Sequence, residues 1–98
     1  MYRVKSRQRD IAKQIGVVIR PSERANKKLD VYRDGFYVAS IGDVRYNDYY
    51  DYLAGEQKGK ENPGVAALRR NAYYARHQAN LKVPYSPGWY SWKLLWEG

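Results

Sequence analysis

Asp34-Gly35 is the feature that most constrains what this chain can fold into. The pair stands between two β-prone runs, 29–33 and 36–41. A two-residue hairpin turn that matches the twist of its strands needs φ > 0 at both central positions, which Asp tolerates and Gly accepts without steric penalty. The sequence therefore predicts an antiparallel hairpin over 29–41, with Gly42-Asp43 closing the second strand. The rest of the fold has to be arranged around it. At 98 residues there is room for one modest core, and a chain of this size buries only ~60–65% of its unfolded surface.

Residues 15–20 are β-branched and suit a third short strand, ended by Pro21-Ser22 and followed by a polar connection over 22–28. Residues 1–14 are dominated by Arg3, Lys5, Arg7, Arg9 and Lys13 and show no clear apolar period. They are expected to form a basic, extended arm with a helical turn over 10–14. In 44–54, Tyr46, Tyr49, Tyr50 and Leu53 recur at i, i+3, i+4 and i+7, one face of a helix, with Asp43 as its cap and Gly55 at its end. After a charged loop over 56–61, Asn62-Pro63 opens the main helix, expected over 63–80 with Asn as N-cap and Pro in the first position. Val65, Leu68, Ala72, Ala75 and Ala79 form its apolar seam, which should face the core. Arg69, Tyr73, Arg76, His77 and Asn80 should then project outward. Residues 81–88 read as a loop, and 89–96 as a terminal strand or short helix. The expected organisation is a basic arm, 1–14, and one small α+β domain, 15–98, in which a small antiparallel sheet is packed by the 63–80 helix.

The core must be built from unusual material. The chain has one Met, one Phe and few Leu or Ile, but eleven Tyr and three Trp. Tyr and Trp bury a large ring yet keep a polar tip that wants water or a partner, so such a composition suits interfaces. The net charge is +8, which favours anionic partners such as nucleic acid, acidic protein faces or a membrane surface. It is spread unevenly. Residues 1–28 hold nine basic and two acidic residues, 29–55 two and five, and 56–98 seven and three. There is no Cys, which excludes disulfides, thiolate chemistry and Cys-based zinc sites. No apolar run approaches the ~20 residues of a membrane span, and the run 15–19 is too short for a secretory signal core.

Basic and aromatic residues interleave over 65–96, with all three Trp within eight residues. Arg69, Arg70, Tyr73, Tyr74, Arg76 and His77 lie within about two helical turns, where an Arg and a Tyr four apart are surface neighbours. They could grip phosphate or an acidic surface, or they could be a solvated helix face whose tyrosines cover the core. Arg3, Lys5, Arg7 and Arg9 form a second candidate contact set. Trp89, Trp92 and Trp96 are either core plugs or anchors into a neighbour, with Trp89 the candidate contact. His77 is the only histidine, with no local nucleophile and orienting acid, and reads as structural. Asp43, Asp48 and Asp51 match no calcium loop and read as a cap and helix-surface charges that pair with Arg. No metal, cofactor or catalytic residue is expected.

Taken in order, Lys27-Lys28-x-x-Val31-Tyr32, Gly35, Gly42-Asp43, Tyr46, Arg69-Arg70-x-x-Tyr73-x-x-Arg76-His77, Ser86-Pro87-Gly88-Trp89-x-Ser91-Trp92 and Leu95-Trp96 form a pattern. It resembles a group of small proteins encoded by large DNA viruses of protists and by tailed phages. In that group a hairpin leads to an aromatic-Gly-Asp, then to a basic Arg-Arg…Tyr…Arg-His segment and a Trp-rich end. The likeness covers about residues 27–96. The chain departs from it at Ile41, where the group has Phe, in the 56–61 loop and in the N-terminal residues. The resemblance implies a viral origin and a place in the virion, or otherwise in the infected host cell. It implies no reaction.

Three functions follow as expectations. The first is a non-enzymatic viral structural protein, a minor capsid or capsid-associated component fastening capsid proteins, copies of itself or the genome. The second is a viral nucleic-acid-binding protein, in which Arg69, Arg70, Arg76 and the arm contact DNA phosphates while Tyr73, Tyr74 or Trp89 stack bases. The third is a small metal-dependent nuclease using His77 and an Asp, for which the ligand set is thin.

Overall fold

The turn forms as its residue types require: Asp34 has φ 52° and Gly35 φ 82°, joining β2 (Leu29–Arg33) to β3 (Phe36–Ile41). A computed structural model describes all 98 residues. It is an α+β fold whose chain divides into two compact units, Met1–Tyr46 and Asn47–Gly98.

In the first unit β1 (Val18–Pro21) pairs antiparallel with β2, giving a three-stranded sheet in the order β1-β2-β3. Two cross-strand rows, Ile19–Val31–Ala39 and Pro21–Leu29–Ile41, form the inner face. Leu29 and Val31 are fully buried. The turn sets Tyr37 opposite Tyr32, and a bulge between Val31 and Tyr32 takes up Val38, so Ala39 stands opposite Val31. Bulges shift register by one residue and thereby choose which side chains face outward.

The expected extended arm is instead largely helix: α1 spans Ser6–Gln14. Gln8, Ile11 and Ala12 are its buried residues and lie on one face. The buried Gln8 carboxamide oxygen accepts from the Lys5 N–H at 2.8 Å, and its NH₂ donates to the Tyr2 hydroxyl at 2.9 Å. The helix stops at Gly16, whose φ of 79° lets its own N–H reach the Lys13 carbonyl and the Val17 N–H reach the Ala12 carbonyl. That cap uses residues 15–17, so β1 starts later than the β-branched run suggests. It is α1 that packs on the sheet, at β1. The helix expected in that role belongs to the second unit.

In the second unit α2 spans Tyr49–Gln57. Its cap is Asp48, not Asp43. The Asp48 carboxylate accepts from the Asp51 N–H and the Asp51 carboxylate accepts from the Asp48 N–H, each at 3.0 Å, a reciprocal arrangement that satisfies two free donors. Asp48 and Asp51 thus close the N-terminus of the helix between them. Tyr46 lies outside the helix and is 71% exposed, and Gly55 sits within it.

The main helix, α3, spans Val65–Leu81. Asn62 does not cap it. The Glu56 carboxylate, from the last turn of α2, accepts from the N–H of Gly64 at 2.7 Å and of Ala66 at 2.9 Å. The C-terminus is helical: α4 (Pro87–Ser91), capped by the Ser86 hydroxyl, runs into a π-helical turn, Trp92–Trp96. Tyr90, Leu94 and Leu95 are buried there. α3 packs on α2, on α4 and on the π-helical turn.

Arg69, Arg76, His77 and Asn80 project outward as expected, but the apolar seam of α3 beyond half-buried Val65 faces the reverse of the expected way, and Tyr73 turns inward. Ala66, Arg70, Tyr73, Tyr74 and Leu81 are buried or half-buried, whereas Leu68, Ala72, Ala75 and Ala79 are exposed. The cause is area. An aromatic ring withdraws 150–250 Å² from water, far more than an Ala methyl, so the helix turns its rings inward and leaves its small residues outside.

Candidate functional site

The eleven candidate contact residues separate by burial. Arg3, Arg7, Arg9, Arg69, Arg76 and His77 are exposed; Lys5, Arg70, Tyr73, Tyr74 and Trp89 are half-buried. Lys5 precedes α1 and holds its ammonium 4.2 Å from the centre of the Tyr2 ring. Arg70 is engaged inside the second unit, with its guanidinium 5.1 Å from the Tyr49 ring and an N–H donating to the Glu97 carbonyl at 3.3 Å. Tyr73 stacks on Trp96 with centroids 4.4 Å apart and planes within 11°, and its hydroxyl lies 3.2 Å from the Ser91 hydroxyl. Tyr74 lies against Trp92, and Trp89 against Tyr85 and Tyr90. These rings build the unit rather than an open platform. Arg69 keeps its charge outside, 5.5 Å from the Tyr52 ring. His77 sits on the Tyr73 ring at 4.6 Å. No group of three or more His, Asp or Glu side chains is placed to hold a metal ion.

The sequence reading missed a different array, on the outer face of the sheet. The two outer rows are Val18–Tyr32–Tyr37 and Arg20–Asp30–Ser40. The Arg20 guanidinium lies 5.3 Å from the Tyr32 ring and that of Arg24 lies 4.4 Å from the Tyr37 ring. The two rings meet edge-on at 6.0 Å. Beneath them Asp30 is buried and accepts from the Ser22 hydroxyl at 2.7 Å and the Ser40 hydroxyl at 2.6 Å. Ser40 spends its one proton on Asp30, so the Tyr37 hydroxyl, 2.8 Å away, donates to Ser40. Ser22 accepts from the Arg24 N–H at 3.0 Å. Asp30 thus fixes both Tyr37 and the backbone of Arg24, and the cation–ring contact closes the circuit. The signal in the sequence is alternation: Arg20, Asp30 and Tyr32 occupy positions of one parity. Without the bulge, however, Ala39 rather than Ser40 would be assigned to the place opposite Asp30.

Comparison with family models, curated proteins and solved structures finds no match for this chain. Its chemistry therefore rests on these side chains. What they offer is permanent positive charge at partly exposed rings, with Tyr37 44% exposed. Among the carboxylates, Asp43 is held by Arg45, whose guanidinium donates at 2.7 and 3.0 Å and lowers the Asp43 pKa to about 2. The same pairing raises the Arg45 pKa. No helix is long and apolar enough to cross a membrane.

Proposed function

We propose that the protein is a non-enzymatic structural component of a virus particle, a minor capsid or capsid-associated protein that fastens neighbouring subunits. The observation that carries this reading is the outward apolar face of α3. Leu68 is 68% exposed and is followed along the same face by exposed Ala72, Ala75 and Ala79. Beyond the helix Val83 and Tyr85 are 54% and 50% exposed. Exposed apolar side chains repeated along one helix face are of the kind found at interaction sites, and small side chains let a neighbour approach closely. The resemblance of the motif order to that of the viral group supports the same reading. The occupant would be a capsid protein or a second copy of the chain.

The test is the protein composition of purified particles, with crosslinks recorded. The expected result is a stoichiometric presence and crosslinks to a capsid protein from Lys82, the exposed lysine that follows α3. Leu68→Asp should abolish them while leaving the fold intact. A monomer that ignores capsid proteins and is absent from particles overturns the proposal.

A second reading, a nucleic-acid-binding protein of the infected cell, is favoured by the exposed Arg3, Arg7 and Arg9 around α1 and by Arg69 and Arg76 on α3. Arg70 leaves this set because it is engaged internally. Here each phosphate contact removed should lower the salt dependence of duplex binding by ~0.9 in log–log slope.

A further inference from the structure

We propose that the outer face of the three-stranded sheet is a binding site for single-stranded nucleic acid. Arg20 and Arg24 would take phosphates and the Tyr37 ring would stack on an unpaired base. The inference deepens the second reading by giving it a site and a partner class. It does not depend on residence in a particle.

Charge identifies the partner as anionic. The unit that carries the sheet, Met1–Tyr46, has eleven basic and five acidic residues. On the face itself the one carboxylate, Asp30, is buried under two serine hydroxyls, so the exposed charge there is that of the two guanidiniums. Glu23 and Asp34 lie on the connecting loops.

Shape and chemistry identify the strand as unpaired. Each guanidinium is already seated beside a tyrosine ring, 5.3 and 4.4 Å from its centre. That geometry lays a planar guanidinium over each ring, and an unpaired base can stack on the guanidinium plane or on the part of Tyr37 it leaves exposed. Stacking on aromatic side chains needs bases free of their own duplex, and open sheet faces bearing rings are used in this way. The hydrogen-bonded circuit through Asp30 also restrains Tyr37 and the backbone of Arg24 before any ligand arrives, which reduces the entropy lost on binding.

The experiment is fluorescence anisotropy of the full chain with a labelled oligothymidylate and with a duplex of equal length, titrated with salt. The single strand should bind more tightly than the duplex. Arg20→Ala/Arg24→Ala should weaken binding by roughly tenfold or more and lower the log–log salt slope by ~1.4, twice the value for one single-strand phosphate contact. Tyr37→Ala should weaken it by roughly 5- to 100-fold with the slope unchanged, and Tyr37→Phe should keep most of the affinity. Circular dichroism of each variant checks the fold. Binding unaffected by the sheet variants but lost in Arg7→Ala/Arg9→Ala would overturn this site and leave the second reading standing. Equal affinity for duplex would overturn the stacking. Absence of binding to any nucleic acid, or binding to polyglutamate alone, would overturn both.

Discussion

Glu56→Ala should selectively loosen the second unit, and the size of the effect can be worked from two hydrogen bonds. The carboxylate accepts from the N–H of Gly64 at 2.7 Å and of Ala66 at 2.9 Å. Gly64 is exposed, so water can replace the carboxylate there at little cost. Ala66 is buried at 2% exposure, and an unsatisfied buried donor costs ~1–2 kcal/mol. Removing a negative charge from the positive end of α3 adds ~0.3–1 kcal/mol. The expected loss is therefore about 1.5–2.5 kcal/mol. At ~4–8 °C per kcal/mol for a small domain, the melting midpoint should fall by about 10 °C. Glu56→Gln keeps an acceptor oxygen but not the charge, and should lose about half as much. All three Trp, 89, 92 and 96, lie in the second unit, so tryptophan fluorescence during urea or thermal unfolding reads it directly. If both variants unfold within ~0.5 kcal/mol of the parent, as surface substitutions away from such features do, Glu56 is not the cap and α3 starts by some other means.

Leu94 is fully buried, so Leu94→Ala should cost ~2–5 kcal/mol. Leu68→Ala, at a site 68% exposed, should change stability by less than ~0.5 kcal/mol; fluorescence unfolding of the pair checks the orientation of α3. Gly35→Ala meets no atom within 4 Å but must hold φ 82°, so it should weaken the hairpin by ~1–2 kcal/mol, seen as faster hydrogen exchange of the β2 and β3 amides. The Asp43 carboxyl should titrate near 2 by NMR and return toward 3.8 in Arg45→Ala. Because its folded pKa is the lower one, the stability it contributes is present above 3.8 and is lost as pH falls through about 2.

What the sequence made legible is what neighbouring residues decide between themselves. The 29–41 hairpin was readable because Asp34 and Gly35 supply its turn locally, and the strands start and stop where the reading placed them. The α+β class followed from it, and α3 was readable as a helix. What distant residues decide was not legible. The capping carboxylate of α3 comes from Glu56, eight residues before Gly64, so the local Asn62-Pro63 pattern pointed to the wrong acceptor. The helix over Ser6–Gln14 was hidden because a buried glutamine, Gln8, occupies a position on its inner face that a hydrophobic pattern leaves blank.

The inverted seam of α3 has the deepest cause. Periodicity reveals that Val65, Leu68, Ala72, Ala75 and Ala79 share a face, but not which way that face points. Direction is set by competition for a limited interior. Here Tyr73, Tyr74 and the Arg70 stem meet Trp92, Trp96 and Tyr49, each ring removing more apolar surface than several methyl groups. The polar tips do not forbid it, because the Tyr73 hydroxyl finds Ser91 and the Arg70 guanidinium finds the Glu97 carbonyl. In a chain so short of Leu and Ile, amphipathic rings become the core, and the small apolar residues are left for whatever binds next. The same composition governs the sheet. Its aliphatic residues fill the inner rows, and the tyrosines that remain go outward, where Arg20 and Arg24 cover them. Basic and aromatic surface on one unit and bare apolar surface on the other are thus two consequences of one shortage, and both follow from which side chains win the interior.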